Sequence, residues 1–338
     1  MSNPAIQPEY VIRGAAREDL QAVVELAQFL DSVNLPADDP GVIEEGLALS
    51  ERSFSGAEPD PRRRHYVFVA EHTESGRLVA TSSVTGQVGR RDAPHIFFDV
   101  RTEERYSGTL DRHFRHLKLQ IGFSYDGPTS LGGLVVHPDH RRTPHRVGTQ
   151  ISLVRFLFIA MHRRWFRDRL VAELLPPLEP DGTSKLWEAV GRHFTDLTYR
   201  EADRLSKKNK EFVRGLFPDG DIYASLLPEG AQAVIGEVGA QTRGVARLLE
   251  RVGFRYANRV DPFDGGPYFE ARTDEVATLG AARPLPPGGL PAEGAARLVG
   301  CDLAGPPWFR SAVATPDRVP QVLGAVAEAG RPVWLAPL

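Results

Sequence analysis

The densest set of residues able to do chemistry in this chain runs from Ser130 to Gly148. Ser130-Leu131-Gly132-Gly133-Leu134-Val135-Val136 reads as a buried strand. His137-Pro138-Asp139-His140-Arg141-Arg142 follows, and Thr143-Pro144-His145-Arg146-Val147-Gly148 leads into a long helix. A strand, a tight basic turn and a helix present free backbone amides and a positive helix end to an anion. Gly148 lets a pyrophosphate approach the main chain. Arg141, Arg142 and Arg146 supply charge-assisted hydrogen bonds. Val135, Val136, Val147 and Thr149 border the same place. The rival reading is a plain strand-to-helix turn with exposed arginines.

A second group consists of acids and bases. Glu173 closes the strand Leu170–Leu174, where it serves as a base, holds a cation, or is only an exposed strand end. His193 lies in Gly-Arg-His-Phe, and its ordinary titration range suits proton transfer as well as a structural hydrogen bond. Asp261 and Asp264 flank Pro262-Phe263 ahead of Gly265-Gly266. Paired carboxylates there suit a guanidinium, and they equally suit the capping of a tight turn. His113 and His116, three apart and near Asp111, would share a helix face. The set is too small for a metal site, and no metal is expected. Cys301 lies in an apolar stretch without a nearby histidine and reads as a packed residue.

These groups need elements to hold them. Tyr10–Arg13 is a short strand, and Ala15–Leu20 opens a helix with Leu20, Val23, Val24 and Ala27 on one stripe. Asn34-Leu35-Pro36 breaks the pattern, and a second helix covers Val42–Arg52. Arg64–Glu71 and Arg77–Thr85 form a hairpin through Ser75-Gly76. The stretch Arg90–Tyr125 mixes aromatic, histidine and charged residues without a readable period. Val147–His162 is the clearest helix, with Val147, Ile151, Val154 and Phe158 on one face. Residues 185–230 are helical in character. Thr242–Val252 is a helix ended by Gly253, and Phe254–Val260 a strand. The order predicts an α/β fold, with a mixed central sheet flanked by helices. The division expected is one domain over 1–279 with a helical insertion near 176–240, then a Pro/Gly-rich linker over 280–297 and a small appendage to 338.

With 338 residues and 41% apolar content, the chain has ample material for a core. A net charge of −3 and the lack of a basic stripe with interleaved aromatics argue against nucleic acid. No segment has the apolar length of a membrane span, and Met1–Gln7 does not resemble a signal peptide. A single cysteine fits a reducing compartment, so a cytoplasmic protein is expected.

Gln241–Phe254, with its polar start, helix and Gly-Phe close, resembles the late helix and strand of GNAT acyltransferases. Arg155-Phe156-Leu157-Phe158-Ile159-Ala160, Gly191-Arg192-His193-Phe194, Ala231–Gly236 and Asp264-Gly265-Gly266-Pro267 are similar to segments of the arginine N-succinyltransferase family, as are Val11-Ile12-Arg13 and Ser50–Phe54. The resemblance covers nearly the whole chain. It implies a GNAT-like fold and transfer of a succinyl group from succinyl-CoA, as co-substrate, to the α-amino group of arginine or ornithine. The residues themselves put the acyl-CoA on the turn at 135–149, the acid–base work on Glu173 and His193, and the acceptor near Asp261, Asp264 and Trp187. The helical insertion over 176–240 and the C-terminal appendage offer surfaces beyond one acyltransferase core, so an oligomer, of like chains or with a related subunit, is expected. The chain departs from the family at Gly132-Gly133 and at Gly239. Two other readings follow from those departures: an acyltransferase of the same fold with another amine or with acetyl-CoA, and a non-catalytic binding subunit.

Overall fold

The computed structural model describes residues 8–30, 35–91, 93–208, 210–285, 294–315 and 318–338. Of the expected elements, Asn34 in the break after the first helix and residues 286–293 of the linker lie outside the described residues. In chain order the strands are β1 (Tyr10–Gly14), β2 (His65–His72), β3 (Leu78–Thr85), β4 (His95–Ser107), β5 (Arg112–Ser124), β6 (Thr129–Val136), β7 (Arg169–Glu173), β8 (Ile222–Tyr223), β9 (Arg255–Val260), β10 (Pro267–Arg272), β11 (Arg283–Pro284), β12 (Arg297–Asp302), β13 (Phe309–Ala314) and β14 (Val333–Pro337). The helices are α1 (Leu20–Ala27), α2 (Pro40–Phe54), α3 (Val147–Met161), α4 (Lys185–Ala189), α5 (Gly191–Thr195), α6 (Tyr199–Lys208), α7 (Glu211–Leu216), α8 (Glu229–Gln232), α9 (Arg243–Arg251), α10 (Ala277–Gly280) and α11 (Val319–Val326). The α/β class read from the sequence is the one observed.

The chain forms two compact units that interleave in sequence. One takes residues 1–87, 129–170 and 272–338; the other takes 88–128 and 171–271. In the first, the strand order is β11-β14-β12-β13-β1-β2-β3-β6. β1 alternates buried and half-buried residues and pairs antiparallel with β2 on one side and β13 on the other. The stretch read as a linker and appendage thus supplies strands to this sheet. Its pairing partner, β1, lies some three hundred positions earlier, a separation that local patterns do not report.

Helix α3 shows why those strands matter. The sequence suggests one apolar stripe, yet every residue from Gln150 to Ile159 is buried. A helix apolar on all sides belongs in a core. It packs against β1, β2, β3 and β6 and also against β12, β13 and β14. At Gly300 of β12, a side-chain Cβ would stand 2.7 Å from Leu157 Cδ2, so the helix rests directly on that backbone. On another side, α1 and α2 bury Val23, Ala27, Ile43 and Leu47 against Val67 and Val69 of β2.

The second unit orders its strands β7-β10-β9-β4-β5-β8. The unreadable stretch at 90–125 is the long hairpin β4–β5, registered from His95↔Ser124 to Ser107↔Arg112. His113 and His116 therefore lie on a strand, where residues three apart point to opposite faces. Asp111 is in the turn, with φ at 47°. The shared helix face expected for these three residues does not exist. The short helices α4 to α8 close over this sheet, burying Leu186, Trp187, Val190, Ala202 and Val213 against Ile96, Phe98 and Leu119.

Candidate active site

In the first unit, β6 ends in the turn that the sequence marks for an anion. Between Thr81 and Ser83 of β3 the register slips, so that Val135 and Gly132 of β6 face them and one extra β6 residue bulges. Gly133 takes a left-handed φ of 56° there, and a Cβ would meet Ser83 Oγ at 3.0 Å. The bulge detaches part of the β6 backbone from its ladder. Val135 is buried, and Val136 ends the strand at Ala80. A 3₁₀ turn over Pro138–His140 follows.

Arg141 donates from Nε to Val136 O at 2.8 Å, folding its guanidinium back on the strand end. Arg142 and Arg146 hold left-handed backbone, at φ 60° and 50°. That costs about 1 kcal/mol each for a side chain with a Cβ. The amides of Thr149 and Gln150 both turn back to Arg146 O. Those of Val147 and Gly148 take no acceptor among the described residues, and they open the fifteen-residue α3. Gly148 sits against Val136. The result is two free amides, a helix dipole and three arginines at one turn, an arrangement suited to phosphate.

In the second unit, β7 delivers Glu173. Its Oε1 accepts from His95 Nε2, at the start of β4, at 3.0 Å. The His95 ring stacks on Tyr268 of β10, with centroids 5.2 Å apart and planes 8° from parallel. The Tyr268 hydroxyl donates to Ile96 O at 3.2 Å and to Asp261 Oδ2 at 3.3 Å. Glu173 keeps 32% of its side-chain surface open, whereas His95 is buried. This carboxylate therefore remains reachable while protein surrounds its partner.

Asp261 and Asp264 join the same cluster through a tight turn. Asp261 Oδ1 accepts from the amides of Phe263 and Asp264, and Asp264 Oδ1 accepts from Gly266 at 2.7 Å. The Asp261 amide bonds Gly266 O and the Gly265 amide bonds Asp261 O, which closes the loop. Gly265 has φ of 82°, and a Cβ on Gly266 would lie 2.3 Å from Leu174 O. The glycines are thus required by backbone shape and by close approach. The aspartates cap the turn, and the turn also brings Asp261 and Asp264 within electrostatic reach of Glu173.

Burial pushes Glu173 up, but the bond and charge of His95, then Lys210 and Tyr268, outweigh it and hold it below the ordinary glutamate value. Burial and then the charge of Glu173 raise Asp261 to about 6, against Lys210 and the turn amides. Asp264 is pushed well above the usual range by burial, then by Asp261. Tyr268 is raised by burial and by Glu173, Asp261 and Asp264. The group thus keeps Glu173 ionised while resisting two further negative charges, as carboxylates in one dry site must.

Two expected residues lie elsewhere. His193 is exposed on α5, and the imidazole that meets Glu173 is His95. Trp187 has no exposed surface. Its indole donates to Leu197 O at 2.8 Å and it stacks on Phe263, 5.1 Å away, so it buttresses the Asp261–Gly266 turn from behind. Its place in the core leaves nothing to offer an acceptor directly. His95 and Tyr268 are not found by sequence reasoning. Ile96, Phe97 and Phe98 after His95 are all buried, which erases the strand alternation. Tyr268, a polar aromatic directly after Gly-Gly-Pro, was the available signal.

The family model described as arginine N-succinyltransferase beta subunit matches residues 10–278. The chain belongs to the arginine N-succinyltransferase family. As a member it is an acyl-CoA-dependent N-acyltransferase. It is 33% identical over 278 residues to the arginine N-succinyltransferase subunit beta of Pseudomonas aeruginosa, covering 81% of this chain and 80% of that protein. It is 35% identical over 274 residues to the arginine N-succinyltransferase of Yersinia pestis, covering 79% and 76%. Among solved structures, arginine/ornithine succinyltransferase subunit AI of Pseudomonas aeruginosa superposes with a TM-score of 0.80 at 28% identity, over 97% of this chain and 98% of that one. The match at that coverage includes the C-terminal strands of this arginine N-succinyltransferase family member. Among its described residues no helix is long and apolar enough to cross a membrane.

Proposed function

We propose that this protein transfers a succinyl group from succinyl-CoA to the α-amino group of arginine, with ornithine as a second acceptor. The observation that carries the reading is the Glu173–His95 pair, joined to Asp261 and Asp264 in a member of this family. Amine attack on a thioester requires a neutral amine, and the ionised Glu173 is the group suited to take the ammonium proton. His95 fixes the carboxylate and shares the charge. The neutral amine then adds to the thioester carbonyl, the C–S bond breaks, and the CoA thiolate leaves and takes up a proton. Asp261 and Asp264 attract the acceptor's cationic group. The amides of Val147 and Gly148, with Arg141, Arg142 and Arg146, hold the phosphates of the acyl donor.

The names of the relatives as subunits support an assembly, of like chains or with a related one. The lone buried Cys301 is in keeping with a cytoplasmic enzyme. The test is CoA release from succinyl-CoA and from acetyl-CoA against a panel of amines, with mass detection of the product. N-succinylarginine is the expected product. Turnover with only another amine or only acetyl-CoA would overturn the assignment of substrates, and binding without any turnover would overturn the enzyme.

A further inference from the structure

One charged residue interrupts the apolar surface of α3. Arg155 is 2% exposed, in the middle of a helix buried on every side. Its Nε donates to Ser152 O at 3.0 Å and its Nη2 to Ser152 Oγ at 2.8 Å, both one turn back on the same helix. Nη1 has no partner among the described residues. No carboxylate acts on the group either. Burial alone pulls it down to about 10, which leaves it charged at neutral pH. Arg13 and Arg163, by contrast, each meet two carboxylates. A buried charge without a counter-ion is costly to a fold. The opposite charge must come from outside the chain, or the cost stands.

Two contacts fix the level of this guanidinium along the sheet. Gly148, in the first turn of α3, sits against Val136, the last residue of β6. Three residues on, Ile151 O accepts from Ser82 Oγ of β3 at 2.8 Å. Ser82 lies in the slip between Thr81 and Ser83, opposite the β6 bulge. The helix therefore returns antiparallel along β6. Arg155 follows Gly148 by almost two turns, so it shares the flank of Gly148 and stands about 10 Å further along the axis. That distance is about three residues of strand, which leads back from Val136 to Gly133. The bonds to Ser152 hold the guanidinium near the same level. A fixed cation thus lies level with the stretch of β6 that is detached from its ladder and bare of side chains at Gly132 and Gly133.

We propose that Arg155 binds the terminal carboxylate of the succinyl group and so selects a dicarboxylic acyl donor over an uncharged one. The inference rests on the reading of β6 and the turn after it as the acyl-CoA site. With the phosphates at the start of α3, the acyl chain runs back along β6 toward the bulge. A succinyl thioester carries a carboxylate two methylenes beyond its reacting carbonyl, and away from water that carboxylate needs a partner. The guanidinium, fixed through Ser152, presents Nη1 and the second hydrogen of Nη2 to it. A neutral acyl chain would leave the cation uncompensated. Selection therefore comes from a penalty on the wrong donor as well as from attraction to the right one. Arg155 moves no proton in the transfer; it determines specificity.

The experiment is equilibrium titration of the full chain, without an amine, with succinyl-CoA and with butyryl-CoA, which has the same chain length and no acyl charge. Wild type is expected to bind succinyl-CoA about 10- to 100-fold more tightly, the effect of hydrogen bonding between charged groups. Arg155→Met is expected to erase that preference and, by removing a buried charge, to raise the Tm of the ligand-free chain. Arg155→Lys keeps the charge without the planar fork and should retain only part of the preference; it carries the test if the Met variant does not fold. An undiminished preference in either variant overturns the inference. So does an equal loss of affinity for both donors, which would mark a structural role. A wild type that binds the two donors equally yet forms N-succinylarginine removes Arg155 as the selector and leaves the transfer reaction standing. A wild type that prefers butyryl-CoA and transfers no succinyl group removes both.

Discussion

His95 Nε2 donates to Glu173 Oε1 at 3.0 Å while its ring lies flat on Tyr268. One imidazole thus fixes the orientation of the carboxylate and is itself fixed by a side chain bonded to Asp261. In the proposed reaction this carboxylate is the base and works only as the ionised form, so the pair is expected to set the acid limb of activity.

Replacing Glu173 with Gln should therefore lower kcat by about 10²- to 10⁴-fold, the usual worth of a positioned base. His95→Ala should act differently. The bond and charge that hold Glu173 below the ordinary range are lost, while burial still pushes the group up. The acid limb of kcat/KM should then move to higher pH. A pH–rate profile with an unmoved acid limb would show that another group governs it.

The raised values at Asp261 and Asp264 predict proton release on acceptor binding. Near pH 6 the empty site retains protons on this pair, because burial and Glu173 oppose ionisation. A bound guanidinium or ammonium favours the ionised form, so protons leave as the acceptor enters. Calorimetric titration with arginine in buffers of different ionisation enthalpy should give a positive proton release at pH 6, with the share from Asp261 falling as pH rises above about 6. Equal heats in all buffers would contradict the pairing of these carboxylates with the acceptor.

The same shift bears on stability, and its sign is opposite to that of the more common salt-bridged acid. A carboxyl whose folded value is raised destabilises the fold once pH climbs above its unfolded value, and the penalty is relieved as pH falls. Asp264→Asn removes the buried acid and keeps an oxygen for the Gly266 amide. We expect Tm at pH 7.5 to rise by about 1–2 °C, equivalent to about 1 kcal/mol in a chain of this size, while KM for arginine rises. A lower Tm would mean that the turn needs the charge.

Gly300→Ala tests the joint between α3 and β12. The added methyl would stand 2.7 Å from Leu157 Cδ2. Overpacking of that kind typically costs about 1–3 kcal/mol, to be read as a lower midpoint in denaturant. Unchanged stability would show that the helix yields at this point.

The strands and helices with local signals, β2, β3, β6, α3 and α9, were legible because periodicity and turn residues lie within the segment itself. So were the basic turn between β6 and α3, written as one continuous run, and the place of Glu173 at the end of its strand. His95 was not legible. It meets Glu173 only through strand pairing across seventy-eight positions, and the apolar run after it reads as core. His193 attracted attention through its residue type and helical setting, but a short exposed helix puts it on the surface. Trp187 shows the converse: a segment resemblance marks a residue as important, and burial decides that its importance is mechanical. His113 and His116 were misread because a spacing of three means one face on a helix and opposite faces on a strand.

The pairing of β1 with β13 also has a consequence for how the protein is made. β1 is synthesised early, but one of its two edges is covered only by a strand completed near residue 314. Until then the ribosome-bound chain carries an open strand edge and an α3 lacking its support on β12. Open edges are templates for wrong pairing. The first unit therefore finishes folding late, after the whole of the second unit has been threaded out between its parts, and a ribosome stalled before β13 would release a chain primed to associate with others of its kind.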